Sequence, residues 1–384
     1  MASQINDKKE YQICSNCVMD TSDPNIRFDK NGVCDRCNTY YRHILPAWNH
    51  GIGKERQLNQ IIEAIKKHGK GKPYDCILGL SGGIDSSYLL HLAVKEFGLR
   101  PLVFHVDSGW DADFTKRNIK NLTDKLGIEL KIELLNWQEM RDFQLAMFKS
   151  GVPHLDIPQD MAFVSVLDNY ALNSHIKFIL NGGNISTEVV VNPSSWGYWG
   201  TDMIQVRDII RKFGTVPMET YPFTNIFIRK LVLPYIKGIE VVKLLNYVPY
   251  IKKEAEELLK REYGFEPYPQ KHFESILTKF IEGYWLPKRF GFDIRRAQFS
   301  SLILTGQMTR EEALERLKKD PISEEEARDL IELVAGKLEI SEDELMSYMT
   351  MPLKTYRDYK NIKVIFDIGS RILFYLGIDN LVRK

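Results

Sequence analysis

The sequence predicts an α/β protein in which a doubly wound parallel sheet follows a four-cysteine module and precedes a helical region. Short apolar runs alternate with amphipathic segments between residues 74 and 181, which is the pattern of repeated βαβ units. A Gly-Gly turn joins the first apolar run to a helical pattern, and two Cys-x-x-Cys pairs lie before residue 40. We therefore divide the 384 residues into three parts, 1–50, 51–238 and 239–384.

The first part contains the pairs Cys14/Cys17 and Cys34/Cys37, with sixteen residues between them. This spacing is typical of four-thiolate zinc sites. Disulfides are the alternative, but the paired two-residue gaps, in a protein expected to be cytosolic, favour a metal. Four protein ligands leave no open coordination position, so we expect a structural Zn²⁺ that folds a segment too short to form its own core.

The alternation in the second part predicts strands at residues 74–80, 101–107, 129–135 and 177–181. It predicts helices at residues 85–97, 113–126, 137–149 and 160–174. In a parallel sheet of this kind, ligands bind beyond the carboxyl ends of the strands. We expect the functional residues at those ends.

A glycine turn, Ser81-Gly82-Gly83-Ile84-Asp85-Ser86, follows the first predicted strand. Glycine permits left-handed backbone angles and close approach to a ligand, and the first N–H groups of the next helix are free to bind an anion. The alternative is a β–α turn in which glycine has only a conformational role. The hydroxyls of Ser81 and Ser86, however, offer more hydrogen-bond donors than such a turn requires. No Gly-x-x-x-x-Gly-Lys-Ser/Thr segment occurs, so the turn itself has no phosphate-binding lysine.

Two more strand ends carry candidate ligand contacts. Asp107 ends the second predicted strand and is a candidate for Mg²⁺ or nucleotide contact, whereas His105 is either a packed or a functional histidine. Gly182 and Gly183 follow the fourth predicted strand and permit close approach of a nucleotide. A plain turn is the alternative there.

Two later stretches also leave alternatives open. Residues 192–235 are rich in aromatic residues, which either form a buried insert or line a sugar or nucleoside pocket. Lys288, Arg289, Arg295 and Arg296 lie among aromatic residues and form either a solvated face or a phosphate contact.

The third part has helical patterns at residues 239–263 and 275–285, followed by three helix starts that the sequence marks clearly. Capping boxes occur at Thr309-x-x-Glu312, Ser323-x-x-Glu326 and Ser341-x-x-Glu344. Each opens an amphipathic stretch, so we expect a small bundle. We expect it to contribute packing or partner contacts.

The overall composition excludes several classes of protein. The hydrophobic content of 44% and charged content of 27% are those of a globular protein. The 52 basic and 51 acidic residues balance, so bulk nucleic-acid binding is not expected. The start of the sequence is polar and no apolar run is long enough to span a bilayer, so we expect a cytoplasmic protein without membrane insertion.

The glycine turn matches the Ser-Gly-Gly-x-Asp-Ser signature of the PP-loop ATP pyrophosphatases, which this chain resembles. The resemblance implies an adenine nucleotide alpha-hydrolase-like fold. It also implies that the turn holds the β,γ-pyrophosphate of ATP, with Mg²⁺, and leaves the α-phosphate open to attack. The expected products are AMP and pyrophosphate rather than ADP.

The signature alone does not choose the acceptor. A tRNA-thiolating enzyme with two zinc knuckles is one alternative, but such enzymes need further cysteines, and only Cys76 remains, inside a predicted buried strand. A nucleotide-binding module without turnover is an alternative of another class. The sequence offers no cysteine nucleophile for glutamine hydrolysis, so we expect ammonia to come from outside the chain.

Over most of its length the chain resembles the N-acetyl sugar amidotransferases of bacterial surface-polysaccharide synthesis, including lipopolysaccharide O-antigen. The stretches that carry this resemblance are the zinc knuckles, 81–86, 181–184, 271–275, 290–296 and 300–306. The family implies conversion of an acetamido group on a nucleotide-linked sugar to an acetamidino group. It also implies a separate glutaminase subunit that supplies ammonia, for which the zinc module and the C-terminal bundle are candidate docking surfaces.

The sequence and the resemblance together propose two sets of site residues. The candidate catalytic residues are Asp85, Lys288, Arg289, His272 and Glu274. The candidate nucleotide-binding residues are Ser81, Gly82, Gly83, Asp85, Ser86, His105, Asp107, Gly182 and Gly183. For His272 and Glu274, substrate or proton-transfer contact and buried structural pairing both stay open.

Overall fold

The computed structural model describes residues 10–365 and Ile368 of the chain. Its strands are β1 Cys76–Gly79, β2 Pro101–Asp107, β3 Leu130–Leu134, β4 Phe178–Leu180 and β5 Glu240–Val242. They form one sheet in the order β3-β2-β1-β4-β5, and every neighbouring pair is parallel. The predicted parallel sheet and its four predicted strands are therefore confirmed.

Strand β5 corrects the sequence prediction at one point. The sequence predicts a helix over residues 239–263, but β5 and a short 3₁₀ turn, Leu244–Asn246, occupy its first part. A three-residue strand is stabilised by its pairing with β4, in which Ile179 lies opposite Val241, rather than by a local pattern. The predicted division between residues 238 and 239 thus falls just before a strand of the same sheet.

Fifteen α-helices are assigned among the described residues, and none of them is both long and apolar enough to cross a membrane. Those before and between the first four strands are α1 Asp35–Thr39, α2 Leu45–Trp48, α3 Glu55–Gly69, α4 Ile84–His91, α5 Asp113–Leu126, α6 Trp137–Ser150 and α7 Ile157–Asn173. Those that follow are α8 Ile185–Glu188, α9 Met203–Phe213, α10 Lys252–Tyr263, α11 Ile276–Phe280, α12 Arg295–Leu304, α13 Arg310–Leu317, α14 Glu324–Leu338 and α15 Glu342–Thr350. Wider π-type turns occupy Tyr40–Ile44, Leu92–Glu96, Ile228–Ile236 and Ile281–Phe290, and further 3₁₀ turns occupy Asn49–Gly51 and Tyr356–Asp358.

The helices cover both faces of the sheet, as the doubly wound pattern predicts. Successive residues of β1 point to opposite faces. Ile77 packs in the core that contains the apolar side chains of α6 and α7. Cys76 and Leu78 pack in a second core with α3, α4, α5 and α10. The carboxyl ends of the strands are thereby held between two rigid layers.

The predicted capping residues of the C-terminal bundle are confirmed. The side chains of Thr309, Ser323 and Ser341 accept hydrogen bonds from backbone N–H groups at the starts of α13, α14 and α15. Of the three predicted capping boxes, the one at Ser323 is reciprocal, because Glu326 also accepts from the Ser323 backbone. Among the described residues, Thr309 and Ser341 cap their helices through the side chain alone. The last part of the predicted helical region lies outside the described residues.

Candidate functional site

The glycine turn connects β1 to α4 in the geometry expected of an anion-binding turn. Gly82 has a φ of +79°, and a Cβ atom there would lie 2.6 Å from the Thr115 side chain. A Cβ atom at Gly83 would lie 2.8 Å from Oε1 of Glu274. Gly82 therefore needs glycine for its backbone angle and for space, whereas at Gly83 the lack of a side chain leaves room for the carboxylate of Glu274.

The two serines of the turn hold it in shape. Ser86 Oγ accepts a hydrogen bond from the Ser81 backbone N–H at 3.3 Å and lies 3.1 Å from Ser81 Oγ. Ser81 Oγ in turn accepts from the backbone N–H of Gly83 at 3.3 Å. The turn is thus organised by its own side chains.

Asp85 lies at the centre of a charged network in the first turn of α4. Its carboxylate accepts hydrogen bonds from the Tyr250 hydroxyl and, at 2.8 Å, from the ammonium of Lys271. Lys271 also contacts Glu188 at 2.6 Å and Thr187 at 3.4 Å. Burial opposes ionisation of Asp85, but the Lys271 ammonium and the Tyr250 hydroxyl hold its pKa below the usual value.

A cavity of about 210 Å³ lies in front of this turn. The turn forms one side of it, and Asn181, Gly182 and Gly183 at the end of β4 form another. A Cβ atom at Gly182 would lie 3.4 Å from the Ser86 backbone nitrogen, so the two strand ends approach closely. We call this space the loop cavity.

Hard oxygen ligands suit Mg²⁺, which proteins usually hold with one or two carboxylates while phosphates and water complete the shell. Asp85 and Glu188 are the carboxylates beside the turn, and in this structure both are paired with the Lys271 ammonium, which a bound ion would replace. These residues would hold the ion beside the phosphates. Its chemical contribution there would be neutralisation of phosphate charge.

His105 and Asp107 occupy different positions at the end of β2. His105 is buried and lies with Nδ1 2.8 Å from the Leu80 carbonyl oxygen and Nε2 2.7 Å from the Asp111 carboxylate. It therefore positions the residue before the turn. Asp107 accepts from the Gly109 backbone N–H at 2.8 Å and lies 3.7 Å from Lys116. Asp107 thus caps the turn after β2 and is not among the described residues that line the loop cavity, and its Mg²⁺ or nucleotide contact stays a prediction.

A second, larger cavity of about 830 Å³ adjoins the loop cavity. Both are lined by Ser81, Phe163, His272 and Glu274, which form the junction between them. The walls of the larger cavity include three residues of the aromatic insert, Trp196, Tyr198 and Trp199. The predicted pocket-lining role of that insert is therefore correct for these residues, although Trp196 is also buried.

His272 and Glu274 face this junction. His272 has a φ of +72°, a strained conformation for a non-glycine residue, and its Nδ1 lies 2.9 Å from Oε1 of Glu282. Burial opposes its charged form, but the Glu282 carboxylate raises the pKa of His272 to about 9. Burial raises the pKa of Glu274, whose Oε2 has no hydrogen-bond partner among the described residues. The junction thus offers one cationic and one proton-accepting group.

The larger cavity has an acidic, hydrogen-bonded floor. Asp156 accepts from the Thr278 hydroxyl at 3.0 Å and from the Gln159 amide at 3.2 Å. Burial, with the nearby Asp160 and Glu282 carboxylates, raises the pKa of Asp156 to about 7. The sequence prediction contains none of these residues, because Asp156 and Gln159 lie between two predicted helices and carry no local signal of a site.

Lys288 and Arg289 line neither cavity, and their contacts in this structure are with other parts of the chain. Lys288 is 51% exposed and forms an ion pair with Asp320 at 2.8 Å. Arg289 is buried and donates to the backbone carbonyls of Met349 and Pro352. Lys288 thus has a surface ion pair, and Arg289 is held by two backbone carbonyls.

Arg295 and Arg296 have structural contacts of the same kind. Arg295 pairs with Asp293 at 2.6 Å. Arg296 donates to the Val18 carbonyl at 2.9 Å and contacts Asp20 at 3.0 Å. The aromatic-basic stretch therefore holds helices and the N-terminal module in place.

Lys271, Tyr250 and Lys252 line or contact the loop cavity but are absent from the predicted sets. Lys271 directly precedes the predicted His272, so the resemblance over residues 271–275 marks the right segment. Tyr250 and Lys252 lie at the start of α10, 164 residues or more beyond the turn. Only the packing of α10 against α4 brings them to it.

The four predicted metal ligands form a compact cluster. The Sγ atoms of Cys14, Cys17, Cys34 and Cys37 all lie within 4.8 Å of one another. Three Sγ–Sγ distances are 3.8, 3.7 and 3.5 Å. A tetrahedron with Zn–S bonds of about 2.3 Å has edges of about 3.8 Å. The cluster could hold a metal ion, and its dimensions fit zinc.

The cysteine module packs on the C-terminal part of the chain. Arg310 donates to the carbonyls of Cys14 and Cys17 at 2.9 to 3.2 Å. The Trp196 indole N–H donates to the Ser22 carbonyl at 3.2 Å, while its ring stacks on Phe292. The module therefore supports one wall of the larger cavity.

Comparison with known protein families gives two matches. Residues 75–154 match the phosphoadenosine phosphosulfate reductase domain. Residues 274–373 match the C-terminal domain described as that of a WbpG-like LPS biosynthesis protein. No curated protein matches the chain. The two matches bear out the resemblance to the N-acetyl sugar amidotransferases of the PP-loop class, and they support an enzyme that uses a nucleotide in lipopolysaccharide biosynthesis.

Proposed function

We propose that this chain is an ATP-dependent amidotransferase that converts the acetamido group of a nucleotide-linked N-acetyl sugar to an acetamidino group, with AMP and pyrophosphate as the other products. The observation that carries the proposal is the junction at Ser81, Phe163, His272 and Glu274, where a PP-loop cavity opens into a space for a second substrate. The match to the phosphoadenosine phosphosulfate reductase domain supports use of a nucleotide. The match to the WbpG-like C-terminal domain supports a role in lipopolysaccharide biosynthesis.

The first step joins the two substrates. The acetamido oxygen attacks the α-phosphorus of ATP, the bond from that phosphorus to the bridging oxygen breaks, and pyrophosphate leaves with the electron pair. An amide carbon is a poor electrophile, and its oxygen becomes a good leaving group once it is a phosphate ester. We assign His272, whose raised pKa keeps it cationic at neutral pH, the role of stabilising charge on the α-phosphate.

The second step replaces oxygen by nitrogen. Ammonia attacks the activated carbon, the nitrogen loses a proton, and the carbon–oxygen bond breaks to release AMP. Glu274 is our candidate to accept that proton, because one of its oxygens lacks a partner among the described residues and burial raises its pKa. The cavity walls would limit hydrolysis of the activated sugar by water.

The tRNA-thiolation alternative needs a reactive cysteine. Four of the five cysteines lie in the metal cluster, and Cys76 is fully buried in β1 with a pKa raised by burial. A buried, protonated thiol is a poor nucleophile. This placement favours the amidotransferase.

Mass spectrometry tests the proposal. A reaction of the chain with MgATP, an ammonium salt and candidate nucleotide sugars should give a sugar product about one mass unit lighter, together with AMP. Formation of ADP, or a modified tRNA with unchanged sugar, contradicts the proposal. Nucleotide binding with no turnover favours the module without catalysis.

We also propose that a separate glutaminase subunit supplies the ammonia. Ammonia is mostly ammonium at neutral pH, and no cysteine among the described residues is exposed to act on glutamine. The isolated chain should therefore use concentrated ammonium salts but not glutamine, and the partner should restore glutamine use. Efficient use of glutamine by the chain alone contradicts a separate subunit.

A further inference from the structure

The loop cavity contains two lysine ammonium groups with very different surroundings. Lys271 is saturated, since Asp85, Glu188 and Thr187 all lie within 3.4 Å of its Nζ. Lys252 also lines the cavity, but no hydrogen bond or ion pair links its Nζ to another described residue. One cation of this cavity is therefore already neutralised, and the other is available to a ligand.

Lys252 is half-buried rather than solvated. Burial lowers the pKa of its ammonium, which the Asp85 carboxylate partly opposes. The other charged groups around it are Lys271, Glu274 and Glu256. A partly desolvated ammonium without a bonded partner is costly, and an anionic ligand would remove that cost.

The helix that carries Lys252 does not explain its position. Lys252 is the first residue of α10, and its backbone N–H donates to Oε1 of Gln307 at 2.8 Å. The start of a helix carries partial positive charge, so a lysine there is unfavourable for helix stability. The next residue, Lys253, is exposed and does not line the loop cavity. Of these two neighbours, Lys252 alone faces the turn.

The glycine turn contains no lysine of its own. When the bond between the α-phosphorus and the bridging oxygen breaks, the electron pair stays on pyrophosphate, and its negative charge rises. We propose that Lys252 is a phosphate-binding residue of this site and supplies, from α10, the ammonium that the turn lacks. The inference rests on the proposed function only in assuming that ATP binds at the turn.

Calorimetric titration of the full chain tests this role without requiring turnover. MgATP and magnesium pyrophosphate serve as the two probes, and Lys252→Ala is compared with Lys253→Ala. Loss of one charge-assisted hydrogen bond weakens binding by about tenfold to hundredfold. We expect that loss for both probes in Lys252→Ala. Lys253→Ala should bind both within about twofold of the parent protein.

Lys252→Arg keeps the charge and serves as the second variant. It should retain most of the binding, whereas a purely steric role of Lys252 would not be rescued by the longer side chain. Thermal unfolding of each variant separates lost binding from lost folding. If Lys252→Ala does not fold, the binding measured with Lys252→Arg tests the inference instead. Unchanged binding of both probes in folded Lys252→Ala overturns the inference, as does loss of binding in folded Lys252→Arg. If the chain binds both probes as expected but forms no acetamidino product, the proposed reaction is contradicted and the phosphate-binding role of Lys252 is not.

Discussion

The two adjoining cavities are assembled in opposite ways. The glycine-turn wall of the loop cavity is one continuous stretch, residues 81–86, shaped by its own glycines and serines. The larger cavity is lined by residues scattered along the chain between Ser81 and Lys363. Its aromatic wall contacts the cysteine module through the hydrogen bond from Trp196 to the Ser22 carbonyl. Variants of the first should change phosphate chemistry, and variants of the second should change use of the acceptor.

Asp85→Asn should have the largest effect, and it should fall on the loop cavity. The amide removes a buried charge that holds Lys271 and Tyr250, so we expect AMP formation to fall by about 10²- to 10³-fold. Chromatography of nucleotide products measures the loss. Asp113→Asn, at an exposed position in the first turn of α5, is the matched control and should keep nearly full activity. A variant of Asp85 that forms AMP at the parental rate would remove the loop cavity from the chemistry.

Cys34→Ser should act through the larger cavity. Loss of one thiolate should release the metal and lower the free energy of unfolding by more than about 4 kcal/mol, as expected for a structural metal site. Where folded protein remains, the KM for the nucleotide sugar should rise more than the KM for ATP, because the module supports Trp196. Elemental analysis and steady-state kinetics measure both effects. Cys76 lies outside the cluster, so the control variant Cys76→Ser should keep the metal. Folded parent protein that contains no metal, or contains iron, contradicts the zinc assignment.

His272→Gln probes the junction, where both cavities should respond. The raised pKa, about 9, means that the cation is present at neutral pH and is lost as the pH rises through 9. The stabilisation from the Glu282 pair should therefore be full below the ordinary histidine pKa and be lost as the pH rises to about 9. Activity, which needs the cation, should fall as the pH rises through about 9. The variant should be about tenfold slower and lack this alkaline step. His43 is an exposed histidine of the cysteine module, and the control variant His43→Gln should keep the alkaline step.

Lys288→Ala should have the smallest effect, because it belongs to neither cavity. Its exposed pair with Asp320 contributes at most about 0.5 kcal/mol, and ATP kinetics should not change. Arg289→Ala should instead lower stability by about 2 kcal/mol, since two backbone carbonyls lose a charged donor, again without a direct effect on ATP binding. Denaturant unfolding and KM for ATP check both. A selective rise in the KM for ATP in Lys288→Ala would restore the phosphate-contact role predicted from the sequence.

The prediction from sequence succeeds where a contact lies close in the chain. The Ser81–Ser86 turn, the four strands before residue 181 and the caps at Ser323 and Ser341 follow from short-range patterns that the structure confirms. It does not decide the role of Lys288, because its charge pattern is the same whether the side chain binds phosphate or pairs with Asp320, as it does in this structure. It also misses β5, because three residues carry too little periodicity to identify a strand.

The sequence by itself determined the anion-binding turn and the four-cysteine cluster, because glycine, serine and cysteine act there through the backbone and spacing of short segments. Tertiary structure alone decided which distant side chains complete the site. Lys271 and Tyr250 reach Asp85 across more than 160 residues of chain. The pKa of Asp156 is raised only because folding buries its carboxyl group and brings the carboxylates of Asp160 and Glu282 close to it. Such contacts depend on how helices pack on the sheet, and packing is a property of the whole fold rather than of any segment.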